Sequence, residues 1–453
     1  MATIPKIVTL TNSSIDVLNA IRNSASQNYK NYVPKVTADA DSLRSLGAVI
    51  MDNATLQNEF INSIVNRIAK VVITSRSYSN PWKAFKRGIL EYGETIEEIF
   101  VELAKPFQYD PEVAESTQFK RQIPDVHSAF HIMNYQKFYK VTIEEERLRK
   151  AFLSFGGMSD LITYIINSLY NGAEYDEFQT MKYMIAKRII DGQLSPVTIP
   201  AVETANMKSI VGTIKATSND FEFKSSDYNL AGVRTECPKE EQYIILSSSF
   251  DAKMDVEVLA SAFNMGKAEF MGKRVLVDGF GKLDNERLAE LFEHDTTYVE
   301  ITETQMTALN TIPAILVDKE WFMIFDNLFR FKDKDNGEGL YWNYWYHVWK
   351  TFSVSPFKNN AIFIPSTPTI TSVSVSPATM SLSKEEKGTF TATVVTGSFA
   401  PKTVDWSINS TLSTIDNSGN LIIGDEETAE TITVTATSTY DTTKTDTATV
   451  TIV

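Results

Sequence analysis

The sequence predicts an α+β chain that ends in a separate all-β sandwich. Residues 159–191 place apolar side chains at helical spacing, extended and helical runs alternate over 243–327, and the composition changes near residue 367 to Thr-rich strands of period two. Strands without intervening helices are typical of a sandwich, and alternating elements are typical of a mixed lobe. The length of 453 residues leaves room for about three domains.

The composition excludes several classes of protein. Asp and Glu outnumber Lys and Arg by 57 to 43, and the net charge of −14 disfavours a protein whose main role is to grip nucleic-acid phosphates. Cys237 is the single cysteine, so no intrachain disulfide can form. No apolar stretch reaches the roughly 20 residues of a membrane span, and Met1–Leu10 lacks the pattern of a secretion signal. We therefore expect synthesis and retention on the cytosolic side.

The long helical pattern predicts a structural spine. Ser159 is a plausible N-cap and Gly192 a plausible C-terminal stop. A helix of about 33 residues would be about 50 Å long, which suits a spine better than an enzyme core. Asn171 and Gly172 lie inside the pattern and predict a bend.

Residues 70–143 predict a long excursion from the main fold. Extended runs at 71–73 and 138–143 bracket a charged stretch that contains Gly and Pro. Long excursions of this kind usually carry a function or reach toward a partner.

The charged stretch is basic and then acidic, and it supplies the candidate site residues. These are Lys83, Lys86 and Arg87 in the basic block, and Glu97 and Glu98 in the acidic block. The simpler interpretation is that both blocks are solvated faces. The alternative is that the basic block of one copy meets the acidic block of another and fixes their register. On that alternative, reversing all three basic charges impairs assembly and leaves the melting temperature of the monomer near that of the wild type.

The lobe after the spine alternates between strands and helices. Strands are predicted at Tyr243–Leu246, Arg274–Val277 and Ala314–Val317, and a helix at Val256–Phe263. Asn336-Gly337 then predicts a tight hairpin. The aromatic run at 340–349 has rings on both faces of a strand, which favours a core or an interface over a ligand-stacking platform.

The pattern searches predict no catalytic, cofactor or metal site. His127 and His131 would share one face of a helix, but no adjacent Glu completes a metalloprotease pattern. The stretch 333–337 departs from the calcium-loop spacing and is better explained as a hairpin turn. Gly272-Lys273 is not followed by Ser or Thr as in a phosphate loop. Cys237 has no marked His partner, so we expect an inert thiol and a protein that is not an enzyme.

Long strings of large residues resemble the major capsid proteins of the phi-29 group of small tailed phages. The strongest strings lie at 339–344 and 346–349. The others are Asn19–Ser24, Thr95–Ile99, Ile165–Asn167, Tyr170-Asn171, Ala173-Glu174, Asp255-Val256, Val258–Ala260, Ala262–Met265, Val317–Lys319, Trp321–Met323 and Asp326–Leu328. Residues 195–240 and the tail match poorly, although a C-terminal domain of the same type occurs in that family.

The resemblance implies the Hong Kong 97-type capsid fold followed by a bacterial Ig-like domain of group 2. The expected parts are an N-terminal arm with helices, an extended loop, a peripheral domain with a spine helix, an axial domain, returning peripheral strands, a linker and the Ig-like sandwich. We map them, in that order, to residues 1–69, 70–143, 144–194, 195–313, 314–364, 365–368 and 369–453.

The resemblance also implies a function: a shell protein that self-assembles in pentamers and hexamers around double-stranded DNA, without sequence specificity. Expected partners are a scaffolding protein, a portal or connector protein and, through the Ig-like domain, head fibres or host surface glycans. The expected location is the virion, after assembly in the host cytoplasm. Two alternatives remain open here: an encapsulin-like nanocompartment shell, and a secreted adhesin that carries an Ig-like module.

Overall fold

The computed structural model describes residues 10–37, 40–60, 63, 80–90, 95–107, 121, 123–151, 165, 167–254, 273–397 and 399–453. The chain divides into two units. The first comprises residues 1–94, 132–179 and 324–352, and the second comprises residues 95–131, 180–323 and 353–453.

Both units contain helices and strands. Within the described residues, the helices include α1 (Leu10–Ser24), α2 (Gln27–Tyr32), α3 (Ala40–Met51), α4 (Glu145–Ala151), α5 (Gly172–Ile190), α6 (Met207–Asp220), α7 (Ser248–Met254), α8 (Asn285–Leu291) and α9 (Glu303–Leu309). The strands up to residue 364 are β1 (Lys86–Ile89), β2 (Thr95–Val101), β3 (Val126–Ile132), β4 (Tyr135–Glu144), β5 (Ser195–Thr198), β6 (Gln242–Ser247), β7 (Lys273–Val277), β8 (Ala314–Asp318), β9 (Phe322–Asn336), β10 (Tyr341–Val354) and β11 (Asn360–Ile364).

The first unit contains a four-stranded sheet in the order β1-β9-β10-β4. The predicted hairpin at Asn336-Gly337 is confirmed, because the turn joins β9 to β10. Strand β10 carries the aromatic run, and its even-numbered residues from Trp342 to Lys350 are buried. The opposite face of the run is half-buried, so both faces are covered but to different extents.

The predicted spine corresponds to α5, which runs from the first unit into the second. Its predicted end is confirmed: the helix stops at Ile190, and Gly192 has a φ of +67°, the left-handed conformation that glycine adopts without steric cost. A π-helical turn, Asn167–Asn171, precedes α5 and interrupts the predicted helix where the bend was expected. Ser159, the expected N-cap, lies outside the described residues.

The second unit contains a five-stranded mixed sheet in the order β5-β11-β8-β6-β7. The three strands predicted in this lobe are confirmed as β6, β7 and β8. Helices α6 and α7 cover the sheet, and Ile210, Ile214 and Phe250 from them share one apolar core with Ile244 of β6 and Phe363 of β11. The helix expected at Val256–Phe263 lies outside the described residues, as does the extended run at 71–73.

The C-terminal part of the second unit is all β, as predicted. Its strands are β12 (Thr369–Ser376), β13 (Thr379–Leu382), β14 (Lys387–Thr389), β15 (Thr391–Gly397), β16 (Val404–Ile408), β17 (Thr414–Ile415), β18 (Asn420–Ile422), β19 (Thr431–Ser438) and β20 (Thr445–Ile452). They form sheets in the orders β12-β15, β13-β20-β19-β16 and β14-β18-β17. The alternating apolar residues point into one core around Phe390, Val434 and Val450, and Thr residues of β19 pair with Thr residues of β20 on the other face.

Candidate assembly surface

Strands β2 and β3 form a two-stranded sheet, called the ribbon below, whose outer face is exposed and carries several apolar side chains. Both strands alternate between exposed and covered positions. The exposed positions include Ile99 (59%), Val101 (54%), Val126 (54%) and Phe130 (61%), called the apolar stripe below. Exposed apolar patches of this kind mark surfaces that contact another molecule.

Exposed apolar residues continue beyond the paired strands. Leu103 and Phe107 follow β2, and Ile123 precedes β3, and all three are more than half exposed. A soluble protein normally limits contiguous apolar exposure, because such surfaces cause association. The stripe and its extension therefore indicate an association surface on this part of the chain.

The inner face of the ribbon contacts the segment 353–357 of the same unit. His131 is hydrogen-bonded through Nδ1 to Ser353 Oγ (2.8 Å) and through Nε2 to Glu98 Oε2 (3.2 Å). The other oxygen of Glu98, Oε1, accepts a hydrogen bond from Ser355 Oγ (2.8 Å). Beside this chain of hydrogen bonds, the rings of Phe100 and Phe357 stack with their centroids 5.8 Å apart.

The structure divides the acidic candidates between the two faces of the ribbon. Glu97 lies on the exposed face with the apolar stripe. Glu98 points inward, and its side chain is 15% exposed because it contacts His131 and Ser355. An interface role for Glu97 stays a prediction, and Glu98 has an internal role.

The basic candidates also differ from one another. Lys83 and Arg87 are exposed, which leaves an interface role for them as a prediction. Lys86 is 12% exposed, and its Nζ lies 2.7 Å from Asp326 Oδ2 and 3.1 Å from Glu177 Oε2. Because charge reversal at Lys86 would place an anion beside these two carboxylates, we now expect the triple reversal to destabilise the monomer as well, and the interface prediction is kept for Lys83 and Arg87.

Lys86 belongs to a buried charge cluster in the first unit. Lys350 from β10 pairs with Glu177 of α5, and its Nζ lies 3.4 Å from Asp326 Oδ1. Asn80 donates a hydrogen bond from Nδ2 to the other oxygen of Glu177 (2.6 Å). Two cations therefore offset two anions where water is largely excluded, which keeps the cluster near neutral.

Burial dominates the electrostatics of the cluster. Desolvation, with repulsion from Lys86, holds the pKa of Lys350 well below its ordinary value. Desolvation also raises the pKa of Asp326, and the nearby Lys86 opposes that rise. The ion pairs of Lys86 and Lys350 with Glu177 and Asp326 join β1, α5, β9 and β10.

The remaining candidates are structural. Cys237 is buried, and desolvation, followed by the charge of Asp318, raises the pKa of its thiol. His127 and His131 lie on strand β3 and not on a helix. Among the residues that the structure describes, no group of three His, Cys, Asp or Glu side chains is placed to hold a metal ion. Within the same residues, no helix is long and apolar enough to span a membrane.

The sequence interpretation did not single out the apolar stripe. Its pattern was present, because Ile99 and Val101 alternate with Phe100 and Glu98, and Phe130 alternates with Ala129 and His131. Apolar residues on the two faces of a strand predict cover on both faces. The density of acidic residues around Glu97 drew the interpretation toward charge instead.

Comparison with solved structures identifies a phage capsid fold. The capsid structure of Staphylococcus phage Andhra matches over 65% of this chain and 86% of that chain, with a TM-score of 0.51 and 13% sequence identity. At this identity the likeness concerns the fold.

Sequence comparison then defines the family. The model of the Phi29-like phage major capsid protein matches residues 18–364. The major capsid protein of Bacillus phage PZA is 38% identical over 422 residues (91% of this chain, 88% of the relative), and that of Bacillus phage B103 is 37% identical over 432 residues (94% and 90%). The chain therefore belongs to the Phi29-like major capsid protein family. This confirms the predicted role as a capsid protein of the virion.

Proposed function

We propose that this chain builds a closed shell around double-stranded DNA through contacts between copies in rings of five and six. The observation that supports this proposal is the apolar stripe of the ribbon. Membership of the family gives the class of protein, and the stripe offers a surface that a second copy can bind. Head-to-tail contacts close into rings when the rotation between copies allows it. Many modest contacts then stabilise the whole particle.

The finer architecture belongs to the same proposal. The expected Hong Kong 97-type parts keep the boundaries given above, with the ribbon in the extended loop, α5 in the spine helix and the five-stranded sheet shared by the axial domain and the returning strands. The Thr-rich strands from β12 to β20 serve as the Ig-like domain. We propose a structural protein without catalysis, assembled with a scaffolding protein and a portal protein in the host cytoplasm. The Ig-like domain binds head fibres or host surface glycans.

Paired variants test the assembly surface. Phe130→Asp places a charge in the stripe, and Phe223→Asp places the same charge at a Phe of similar exposure (69%) outside the ribbon. Each full-length variant is co-expressed with the scaffolding protein and viewed by negative-stain electron microscopy. We expect Phe130→Asp to remain a folded, unassembled subunit, since a charge in an apolar contact loses its solvation. We expect Phe223→Asp to form shells.

Two results would contradict the proposal at different levels. Shells at wild-type yield from Phe130→Asp would remove the stripe from the assembly surface. A wild-type chain that stays at the monomer mass of 50.9 kDa with its scaffold under all conditions would overturn the shell function itself.

A further inference from the structure

We propose that Ser353, His131, Glu98 and Ser355 are positioning residues that hold the ribbon on its own subunit. They form one hydrogen-bonded chain, called the Ser–His–Glu chain below, which fixes the angle at which the apolar stripe faces away from the subunit. That the apolar stripe contacts a second copy rests on the proposed function, whereas the attachment of the ribbon through these hydrogen bonds does not.

Three of the four side chains are almost sealed from water, and Ser353 is half-buried. His131 is 3% exposed, Ser355 is 1% exposed and the side chain of Glu98 is 15% exposed. A buried carboxylate and a buried imidazole are costly unless each finds a partner. Each side chain of the Ser–His–Glu chain has a hydrogen-bond partner among the contacts described above. Loss of one member therefore leaves its neighbour with an unpaired polar group in a covered position.

The direction of each hydrogen bond follows from the chemistry of the groups. The Glu98 carboxylate only accepts, so His131 donates to it from Nε2–H and Ser355 donates to it from its hydroxyl. With a neutral imidazole, Nδ1 then accepts from the Ser353 hydroxyl. Ser355 Oγ in turn accepts the backbone N–H of Phe357 at 3.1 Å, which ties the chain to the segment below the ribbon.

A serine, a histidine and a glutamate in sequence also occur in the nucleophile triads of hydrolases. Here the imidazole is 3% exposed beneath the ribbon, so a substrate would have to displace the ribbon in order to reach it. Burial therefore favours a structural use of the same connectivity.

The ribbon has two strands, so it needs further contacts within its unit in order to be stable. An isolated two-stranded sheet is marginally stable in water. The outer face is exposed, so the inner face must supply the stabilisation, and it does so through the stack of Phe100 on Phe357 and through the Ser–His–Glu chain. Hydrogen bonds weaken steeply with angle. The Ser–His–Glu chain therefore fixes the orientation of the ribbon and not only its attachment.

The test compares Ser353→Ala with Ser353→Thr in the full-length, unassembled chain. Position 353 is half-buried, so the threonine methyl has room, and threonine keeps the hydroxyl that alanine removes. Amide hydrogen exchange is followed in β2 and β3, with β6 and β8 of the same unit as an internal reference. We expect Ser353→Ala to raise exchange in the ribbon about tenfold or more, as the loss of a hydrogen bond to a buried partner implies, and Ser353→Thr to restore the wild-type rate.

Glu98→Gln is a second variant, with Glu97→Gln on the exposed face as its matched control. Glu98→Gln should loosen the ribbon, since an amide offers one acceptor where the carboxylate offers two. Unchanged ribbon exchange in Ser353→Ala and Glu98→Gln, or a rise that is equal in β6 and β8, would overturn the proposal.

Assembly of the same variants separates the two proposals. We expect Ser353→Ala to give fewer or irregular shells, and Ser353→Thr to give normal ones. A loosened ribbon with normal shells would overturn the positioning role. A wild-type chain without shells would instead count against the proposed function, and leave the exchange result intact.

Discussion

The five-stranded sheet and the ribbon belong to the same unit, yet their strands differ in what covers them. Strands β6, β8 and β11 are buried at every position, on both faces of the sheet. Strand β2 is exposed at every second position, and the exposed residues include Ile99 and Val101. The sheet thus has its apolar partners within the subunit, whereas the ribbon presents apolar side chains that a partner has to cover. Burial, and not hydrophobicity alone, distinguishes the fold from the assembly surface.

Shortening a side chain in the sheet should produce the largest effect. Phe363 of β11 is fully buried in the core between the sheet and helices α6 and α7. We expect Phe363→Ala to lower the free energy of unfolding of the second unit by about 3–5 kcal/mol, because it loses apolar burial and leaves a cavity. Amide exchange in β6, measured at increasing urea concentrations, gives the free energy of unfolding of the second unit. Phe363→Leu serves as the control and should cost much less, since it keeps most of the volume. An equal loss in both variants would contradict a cavity origin.

The buried charge cluster in the first unit allows a covered ionic group to be compared with an exposed one. We expect Lys86→Met to cost about 3 kcal/mol, since it leaves Glu177 and Asp326 with Lys350 as their remaining cluster cation. Lys334→Met, at an exposed position of β9 in the same unit, should change the free energy of unfolding by less than about 0.5 kcal/mol. Thermal unfolding of both variants makes the comparison. Equal stability of the two would show that Lys86 is solvated like Lys334.

The sequence predicted the sheet better than the ribbon, and sequence separation explains why. Tyr243–Leu246 and Ala314–Val317 are continuous apolar runs, so local pattern alone predicts strands covered on both faces. The role of Glu98 depends on Ser355, which is 257 residues away, and that of Lys86 on Glu177, which is 91 residues away. Local pattern identified both as members of charged blocks. It could not show that Glu98 and Lys86 are largely covered while their neighbours Glu97 and Arg87 are exposed.

Glu427, a carboxylate in the all-β part of the second unit, should make the stability of that part depend on pH. Glu427 is buried and accepts hydrogen bonds from the hydroxyls of Ser410 and Ser413 and from the backbone N–H groups of Thr428 and Ala429. These donors, led by Ser410, lower the pKa of Glu427 from 4.5 to about 2. Between these two values the folded carboxyl binds fewer protons than the unfolded one, so stability is present above pH 4.5 and is lost as the pH falls toward 2.

Substitution of Glu427 should remove part of this acid dependence. We expect the free energy of unfolding of Glu427→Gln to fall less steeply between pH 4.5 and pH 2 than that of the wild type, because one proton-linked group is gone. Amide exchange in β19 as a function of pH reports on this region. Glu426→Gln is the control at the adjacent, exposed position, and its slope should match the wild type. Identical slopes for Glu427→Gln and the wild type would contradict the assignment.

The smallest effect on stability is expected at the apolar stripe, where the side chain removed is as large as in the core. Phe130 is 61% exposed, and Phe130→Ala removes the same ring that Phe363→Ala removes. We expect Phe130→Ala to change the free energy of unfolding by no more than about 0.5 kcal/mol, because little apolar area leaves water when this side chain folds. Thermal unfolding of the unassembled chain measures it beside Phe363→Ala. A loss of several kcal/mol at Phe130 would show that the stripe is part of the subunit core, and the distinction between sheet and ribbon would fail.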